Sequence, residues 1–212
     1  MTTAIVAIIS GALFLVALFV LHFLKRELSP LWRMISEYEI GRFGWMMRLA
    51  FFLWAASVLS LVITFWPSLH SIGGSIGRWW LVVIVAALVG AGIFRTDPIT
   101  EITPSLRNTL HTICGAVVIL TFPIAATLVT RCLHHEGEWS SIAPLLTLGT
   151  TLSWVGVVAY FASIIISRIL DPTSGKVGPK IYQGWPNRIM VVFYVVWILL
   201  AAGGALTVLG RA

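Results

Sequence analysis

The sequence predicts an all-α integral membrane protein, a six-transmembrane-helix bundle with its N-terminus and C-terminus outside. The composition is the first reason, because 58% of the 212 residues are hydrophobic and 10% are charged, whereas soluble domains are about 25% charged. The mean hydropathy of +0.97 agrees with this. The second reason is that six apolar stretches approach the roughly 20 residues that a spanning helix needs. The third is that Lys and Arg concentrate in alternate loops.

The six spans follow one another with short connections, so we expect a single transmembrane domain over residues 1–212. The predicted spans are approximately 4–24, 45–66, 79–94, 109–130, 142–167 and 189–209. The first is interpreted as a retained span, because no basic residue precedes its apolar core and no small-residue cleavage pattern follows it. The third is the shortest, and we expect it to extend by about a turn into its flanking loops.

The basic residues predict the orientation of the bundle, since short cytoplasmic loops carry an excess of Lys and Arg. Lys25 and Arg26 follow the first span, which places that end in the cytoplasm. In this orientation only Arg78, Arg131 and Arg211 lie outside, and the other 11 of the 14 basic residues are cytoplasmic. The net charge of +6 is therefore assigned to a rim facing anionic lipid and not to nucleic acid. The expected location is a bacterial or archaeal cytoplasmic membrane, the inner membrane.

The sequence contains no template for a familiar reaction, and we predict no cofactor. It has no GxSxG elbow, Gly-rich phosphate loop or HExxH pair, and its histidines lie at different depths, which disfavours haem. Ionisable groups are scarce in the middle of the spans, where hydroxyls such as Thr147, Thr150 and Thr151 occur instead. That scarcity disfavours an ion-coupled transporter. The adjacent His134 and His135 are interpreted as part of a solvated outer loop, and no metal site is predicted.

Polar residues suited to binding or chemistry gather in the three cytoplasmic loops. Asp97 and Pro98 end the third span, and His111 begins the fourth at the same face. We take His111 and Asp97 as candidate catalytic residues, and the candidate ligand-binding residues are Glu37, Arg48 and Asn187. In this hypothesis Arg48 and Asn187 hold a phosphate, Glu37 or Asp97 orients His111, and His111 acts as acid or base if a reaction occurs. Whether the protein is an enzyme stays open.

Four segments resemble a known family in their order and spacing. They are SEYEIGRFGWMMRLAFFLWA entering the second span, GIFRTDP ending the third, LHTICG opening the fourth and NRIMVVFYVVWI in the sixth. Together they resemble the six-helix membrane family called domain of unknown function 998 (DUF998). The resemblance covers most of the chain and implies the six-helix fold, but no activity. Of the family's signature residues, Asp97, Pro98 and His111 match, whereas Arg95 stands where a proline is common.

Three functions remain open. The first is binding or remodelling of a lipid headgroup at the cytoplasmic polar site, for which membrane lipids are the expected partners. The second is a non-catalytic accessory subunit of a larger membrane complex, since small residues on the helices permit close contact with other membrane protein subunits. A small-solute transporter is the least favoured, because it requires a polar path through the spans.

Overall fold

The computed structural model describes residues 1–173, 175 and 178–211, and it contains six long α-helices. These are Thr2–Leu24 (α1), Gly44–Phe65 (α2), Ile72–Ile93 (α3), Leu106–His134 (α4), Ala143–Leu170 (α5) and Gly184–Leu209 (α6). Three short 3₁₀ helices connect them, at Ile35–Glu39, Trp66–Ser68 and Gly137–Ile142. All six long helices are apolar enough to cross a membrane, and no strand occurs among the described residues. The predicted all-α six-helix architecture is confirmed.

The helices pack in chain order around a ring, and α6 closes the ring against α1. The largest fully buried side chains include Trp197, Tyr194 and Phe122. The Phe122 ring stacks on Tyr194 with centroids 4.5 Å apart, and Trp197 meets Phe122 edge-on at 5.6 Å. The packing is uneven around the ring. Helix α4 contacts α3 extensively and α5 much less, so the seam between α4 and α5 is the weakest of the ring.

Helix α3 begins at Ile72, a turn and a half to two turns before the predicted start at 79. Its first residues, IGGSIG, resemble a loop in sequence. However, the Ser71 hydroxyl caps the helix by accepting a hydrogen bond from the Gly74 backbone N–H at 3.0 Å, as expected of an N-cap serine. A Cβ atom on Gly74 would lie 2.5 Å from the Cys132 sulfur. Gly74, and Gly77 one turn later, therefore allow a close contact between α3 and α4.

The six helices alternate in direction, so their connections lie at two ends of the bundle. We call the end that holds segments 25–43, 94–105, 171–173 and 178–183 the polar end, and the end that holds segments 66–71 and 135–142 the opposite end. The distribution of Lys and Arg predicts that the polar end is cytoplasmic. Because α6 begins at Gly184, earlier than predicted, Asn187 lies in its first turn at this end.

A buried arginine fastens the start of α6 to the polar end. Arg188 is 5% exposed, and its NH1 donates to the carbonyl oxygens of Arg33, at 2.7 Å, and Gly184, at 2.9 Å. Its NH2 donates to the Tyr38 hydroxyl at 2.8 Å. The planar guanidinium thus joins α6 to the segment around the 3₁₀ helix Ile35–Glu39. This contact holds that 3₁₀ helix beneath the ends of the spans.

Candidate functional site

A cavity of about 510 Å³ opens at the polar end of the bundle. We call it the polar-end cavity. Its walls are largely apolar and aromatic, and they include Phe51, Trp54, Tyr160 and Phe161. Four of the five residues singled out in the sequence line it: Glu37, Asp97, His111 and Asn187. Arg48, the fifth, is not among the lining residues.

The cavity lies where α4 and α5 diverge. Towards the opposite end the two helices are joined by side-chain hydrogen bonds, from Thr130 to Thr150 at 2.9 Å and from the Trp154 indole to Thr127 at 2.9 Å. Nearer the polar end, both helices line the cavity instead. Two lining residues, Leu120 at 51% exposed and Phe161 at 38%, also lie on the outer surface. The cavity is therefore open laterally between the two helices.

Glu37 ties the 3₁₀ helix to the loop between α3 and α4. Its side chain is 2% exposed. One carboxylate oxygen accepts hydrogen bonds from the Arg33 guanidinium at 2.6 Å and from the Ile99 backbone N–H at 2.9 Å. The other accepts from the Met34 N–H at 3.2 Å. Such charge-assisted bonds are among the stronger ones in proteins, so Glu37 organises the rim of the cavity as well as lining it.

His111 is oriented by backbone carbonyls. Its Nδ1 lies 3.0 Å from the Ala91 oxygen and 2.9 Å from the Phe94 oxygen. Since both neighbours are acceptors, Nδ1 carries a proton, and in the neutral ring Nε2 is an acceptor. The nearest carboxylate oxygen that forms a pair with it belongs to Glu39, at 3.9 Å. The described residues show no hydrogen bond from His111 to Glu37 or Asp97, the two acids expected to orient it.

Asp97 closes the turn between α3 and α4. Its carboxylate accepts a hydrogen bond from the Ser105 backbone N–H at 2.7 Å, and its own N–H donates to the Asn108 side-chain oxygen at 3.0 Å. Ser105 is in turn the N-cap of α4. The segment FRTDP is therefore a helix end joined to the next helix start, and it places the Asp97 carboxylate at the mouth of the cavity.

Asn187 and Arg48 occupy different surroundings. The Asn187 side-chain oxygen accepts from the Ile35 backbone N–H at 3.1 Å, which leaves its amide N–H₂ as a donor in the cavity lining. The Arg48 Nε lies 3.9 Å from a Glu39 carboxylate oxygen. The structure thus places Arg48 behind Glu39 and does not bring it to the cavity with Asn187, where joint binding of a phosphate would need it.

Glu39 does not line the cavity, but it lies beside His111 and Thr96, which do, and the sequence did not single it out. Its side chain is 1% exposed, and one oxygen accepts from the Thr96 backbone N–H at 3.3 Å. The other oxygen has no hydrogen-bond partner in the described part of the chain. Burial raises the pKa of this carboxyl to about 7, although the Thr96 bond and the charges of Arg48 and Arg95 oppose the rise. In the sequence Glu39 resembles an ordinary solvated loop residue, because the segment SEYEIGR has a charged residue on each side of it.

Comparison with protein-family models now identifies the relatives of this fold. Residues 8–204 match the model described as Protein of unknown function (DUF998). The chain belongs to the DUF998 family. The resemblance noted in the sequence is thereby confirmed. Comparisons with curated proteins and with solved structures give no match.

The charges that line the cavity of this DUF998 protein are acidic. The charged side chains among the lining residues are Glu37, Asp97 and Glu101, beside the titratable His111. No Lys or Arg lines the cavity among the described residues. Arg33 neutralises Glu37 through a direct ion pair, whereas Asp97 and Glu101 have no ion pair within the part of the chain that the structure describes. The cavity therefore presents a net negative rim above aromatic walls.

Proposed function

We propose that this DUF998 protein binds the amine-bearing headgroup of a membrane lipid in the polar-end cavity, on the cytoplasmic face of a bacterial or archaeal cytoplasmic membrane. The observation that carries the proposal is the lateral cavity between α4 and α5, whose lining charges are carboxylates. An ammonium group complements such a rim, whereas a phosphate alone would be repelled by it. The hypothesis of a ligand site, made from the sequence, is kept. However, the binding of a phosphate by Arg48 and Asn187 is replaced by the binding of an amine at the acidic rim.

The walls support the same ligand. Phe51, Trp54, Tyr160 and Phe161 all line the cavity, and a cation within about 6 Å of an aromatic face is attracted by the ring quadrupole. Trp54 is 2% exposed, and its indole N–H has no partner among the described residues. That donor suits an ester or phosphate oxygen of the same zwitterionic headgroup.

The size and the opening of the cavity fit a lipid better than a soluble solute. Its volume of about 510 Å³ falls within the roughly 300–1,000 Å³ typical of ligand sites. Since Leu120 and Phe161 carry the lining out to the surface of the bundle, acyl chains remain in the bilayer while the headgroup enters. If the headgroup is also remodelled, His111 supplies the acid or base, because its Nε2 is the ring nitrogen left free for a ligand proton.

The test is lipid retention. The wild type is reconstituted in nanodiscs of equal phosphatidylethanolamine and phosphatidylglycerol, and native mass spectrometry identifies the lipid that stays bound. A Cβ on Gly115, which lines the cavity, would meet no atom within 4 Å, so Gly115→Phe fills the space without a backbone clash. Gly203 on α6 is equally free of contacts and lies outside the cavity, which makes Gly203→Phe the matched control.

We expect the wild type and Gly203→Phe to retain phosphatidylethanolamine and Gly115→Phe to lose it. Glu101→Gln tests the charge, because among the described residues the Glu101 carboxylate accepts hydrogen bonds only from Thr103. This variant should lower the preference for the amine lipid. Equal retention by Gly115→Phe would refute the cavity site. If the wild type retained phosphatidylglycerol instead of phosphatidylethanolamine, the proposal that the bound headgroup carries an amine would be refuted. A protein partner retained by every variant, with no lipid, would support the accessory-subunit hypothesis instead.

A further inference from the structure

A second cavity, of about 370 Å³, lies on the same seam at the opposite end of the bundle. We call it the opposite-end cleft. Its lining comes from two facing stripes, one on each helix: Thr127, Thr130, Arg131 and His134 from α4, and Thr147, Thr150 and Thr151 from α5, with His135 at the rim. Residues three and four apart share one face of a helix. The spacing therefore aligns five hydroxyls along the seam, with Arg131, His134 and His135 above them.

The inner part of the cleft is an ordered hydrogen-bond network. Thr130 and Thr150 bond to each other at 2.9 Å, and the Trp197 indole N–H donates to Thr150 at 3.0 Å. Both threonines are buried, at 5% and 9% exposed. His134 Nε2 lies 3.0 Å from the Thr147 hydroxyl. These contacts fix the two helices at a set separation, so the cleft is a built feature of the fold.

The rim of the cleft is basic and has an unused donor. Arg131 is exposed and forms neither an ion pair nor a side-chain hydrogen bond among the described residues. The Thr151 hydroxyl, on the facing helix, also has no partner in that part of the chain. Among the described residues no carboxylate lines the cleft. A fork of guanidinium donors together with a free hydroxyl is suited to binding phosphate oxygens.

The depth of the cleft matches the headgroup region. Helix α4 has 29 residues, which at 1.5 Å per residue is about 43 Å, close to the roughly 40–45 Å of a bilayer with its interfaces. The hydrocarbon core is about 30 Å thick, which leaves about 6–7 Å of the helix for the interface at each end. The last turn of α4, Arg131 to His134, therefore lies within the interface of the leaflet at the opposite end, and Thr127 lies about a turn deeper. Phosphate groups of lipids occupy this level.

We propose that the opposite-end cleft binds a phosphate group, with Arg131 as its charged ligand and Thr151 as a hydrogen-bond donor. The site is separate from the polar-end cavity and has the opposite charge. It gives a role to Arg131 and Thr151, which the headgroup site at the polar end does not use. The phosphate belongs to an anionic lipid or to a soluble phosphate compound, and the experiment distinguishes these two sources.

The first arm of the test compares nanodiscs of phosphatidylglycerol with nanodiscs of phosphatidylcholine, and native mass spectrometry counts the lipid retained by the wild type, Arg131→Gln and Thr151→Val. The second arm titrates inorganic phosphate against detergent-solubilised protein and follows thermal stability. Arg211→Gln is the matched control, since Arg211 is an exposed arginine at the same end. Loss of a charge-assisted contact should weaken binding by about tenfold or more.

Retention of phosphatidylglycerol that falls in Arg131→Gln but not in Arg211→Gln supports the site and assigns it to a lipid. Stabilisation by inorganic phosphate that Arg131→Gln removes, without lipid retention, supports the site and assigns it to a soluble phosphate. If Arg131→Gln and Arg211→Gln lower binding equally, or if the wild type binds neither ligand, the proposal is refuted. Thr151→Val, which keeps the shape of the side chain, separates a specific contact from general attraction, because only a specific site loses affinity in this variant.

Discussion

Glu39 gives the most direct test of the buried electrostatics at the polar end. Its pKa is raised from the ordinary value of 4.5 to about 7, so between these two pH values the folded protein keeps a proton that the unfolded chain has lost. Stability therefore falls as the pH rises from 4.5 to 7, and the loss is complete above pH 7. Each pH unit corresponds to about 1.4 kcal/mol, so the full effect is about 3 kcal/mol. Most of it, about 2–3 kcal/mol, falls between pH 5 and pH 8.

The perturbation is Glu39→Gln, which keeps an oxygen to accept the Thr96 N–H and cannot ionise. We expect the stability of the variant relative to the wild type to increase by about 2–3 kcal/mol from pH 5 to pH 8. For a chain of this length that is roughly 5–10 °C in Tm. Thermal unfolding of both proteins in the same detergent at the two pH values measures the difference, and groups common to both proteins cancel.

The matched control is Glu27→Gln at the same end. Glu27 is 62% exposed and pairs with Lys25 at 3.1 Å, and hydrogen bonds from its own backbone and from Lys25 lower its pKa. This variant should therefore gain no stability over the wild type as the pH rises from 5 to 8. If the difference between Glu39→Gln and the wild type stays constant over that range, Glu39 is already ionised in the fold. The burial argument would then be wrong.

Three further predictions concern Gly184, Arg188 and Asp97 at the polar end, two of them with a control variant. Gly184→Ala should lower stability by about 1–3 kcal/mol, because its Cβ would lie 2.3 Å from the Pro30 carbonyl oxygen. The control is Gly203→Ala on the same helix, where the Cβ would meet no atom within 4 Å. This control should leave the Tm unchanged or raise it. Arg188→Lys should cost about 1–3 kcal/mol in the same thermal assay, because an ammonium cannot reproduce the planar fork that reaches two carbonyls and a hydroxyl. Asp97→Ala should lower stability by about 1 kcal/mol, because it removes the acceptor of the Ser105 N–H, and Asp97→Asn, which keeps an acceptor oxygen, should retain most of that stability. Equal losses of Tm in the two variants would contradict a stabilising role of this hydrogen bond.

The fold could be predicted from the sequence because a bilayer strongly restricts the structures that can cross it. Apolar runs of about 20 residues must become helices that satisfy their own backbone, and six such runs predict six helices. The starts of α3 and α6 were the errors. IGGSIG and GWPNR carry glycine and proline, which are typical of loops, yet Ser71 caps the first segment and Arg188 fastens the second to its neighbours.

The candidate site could be predicted in part, because the topology of alternating spans determines which helix ends share a face. Alternating spans bring the ends of α3, α4 and α6 to one face, so Asp97, His111 and Asn187 could be assigned to one polar surface before their distances were known. Their partners could not be assigned. The carbonyls that orient His111 belong to the backbone, which the sequence does not distinguish, and the burial of Glu39 depends on a 3₁₀ helix folded beneath the bundle.

The open seam between α4 and α5 is the feature that no sequence pattern predicts, and glycine contacts show why. Glycines allow close packing in the neighbouring helix pairs, α3 with α4 and α5 with α6. A Cβ on Gly77 would lie 2.9 Å from Leu128 of α4, and one on Gly149 would lie 2.9 Å from Trp197 of α6. Gly115 of α4 meets no atom within 4 Å. In the sequence these glycines are equivalent, because each is a small residue in an apolar span. In the structure two of them close helix pairs, and the third borders a cavity. Since α4 and α5 are joined by side-chain hydrogen bonds and not by glycine contacts, both proposed ligand sites lie on the seam of the ring that is packed most loosely.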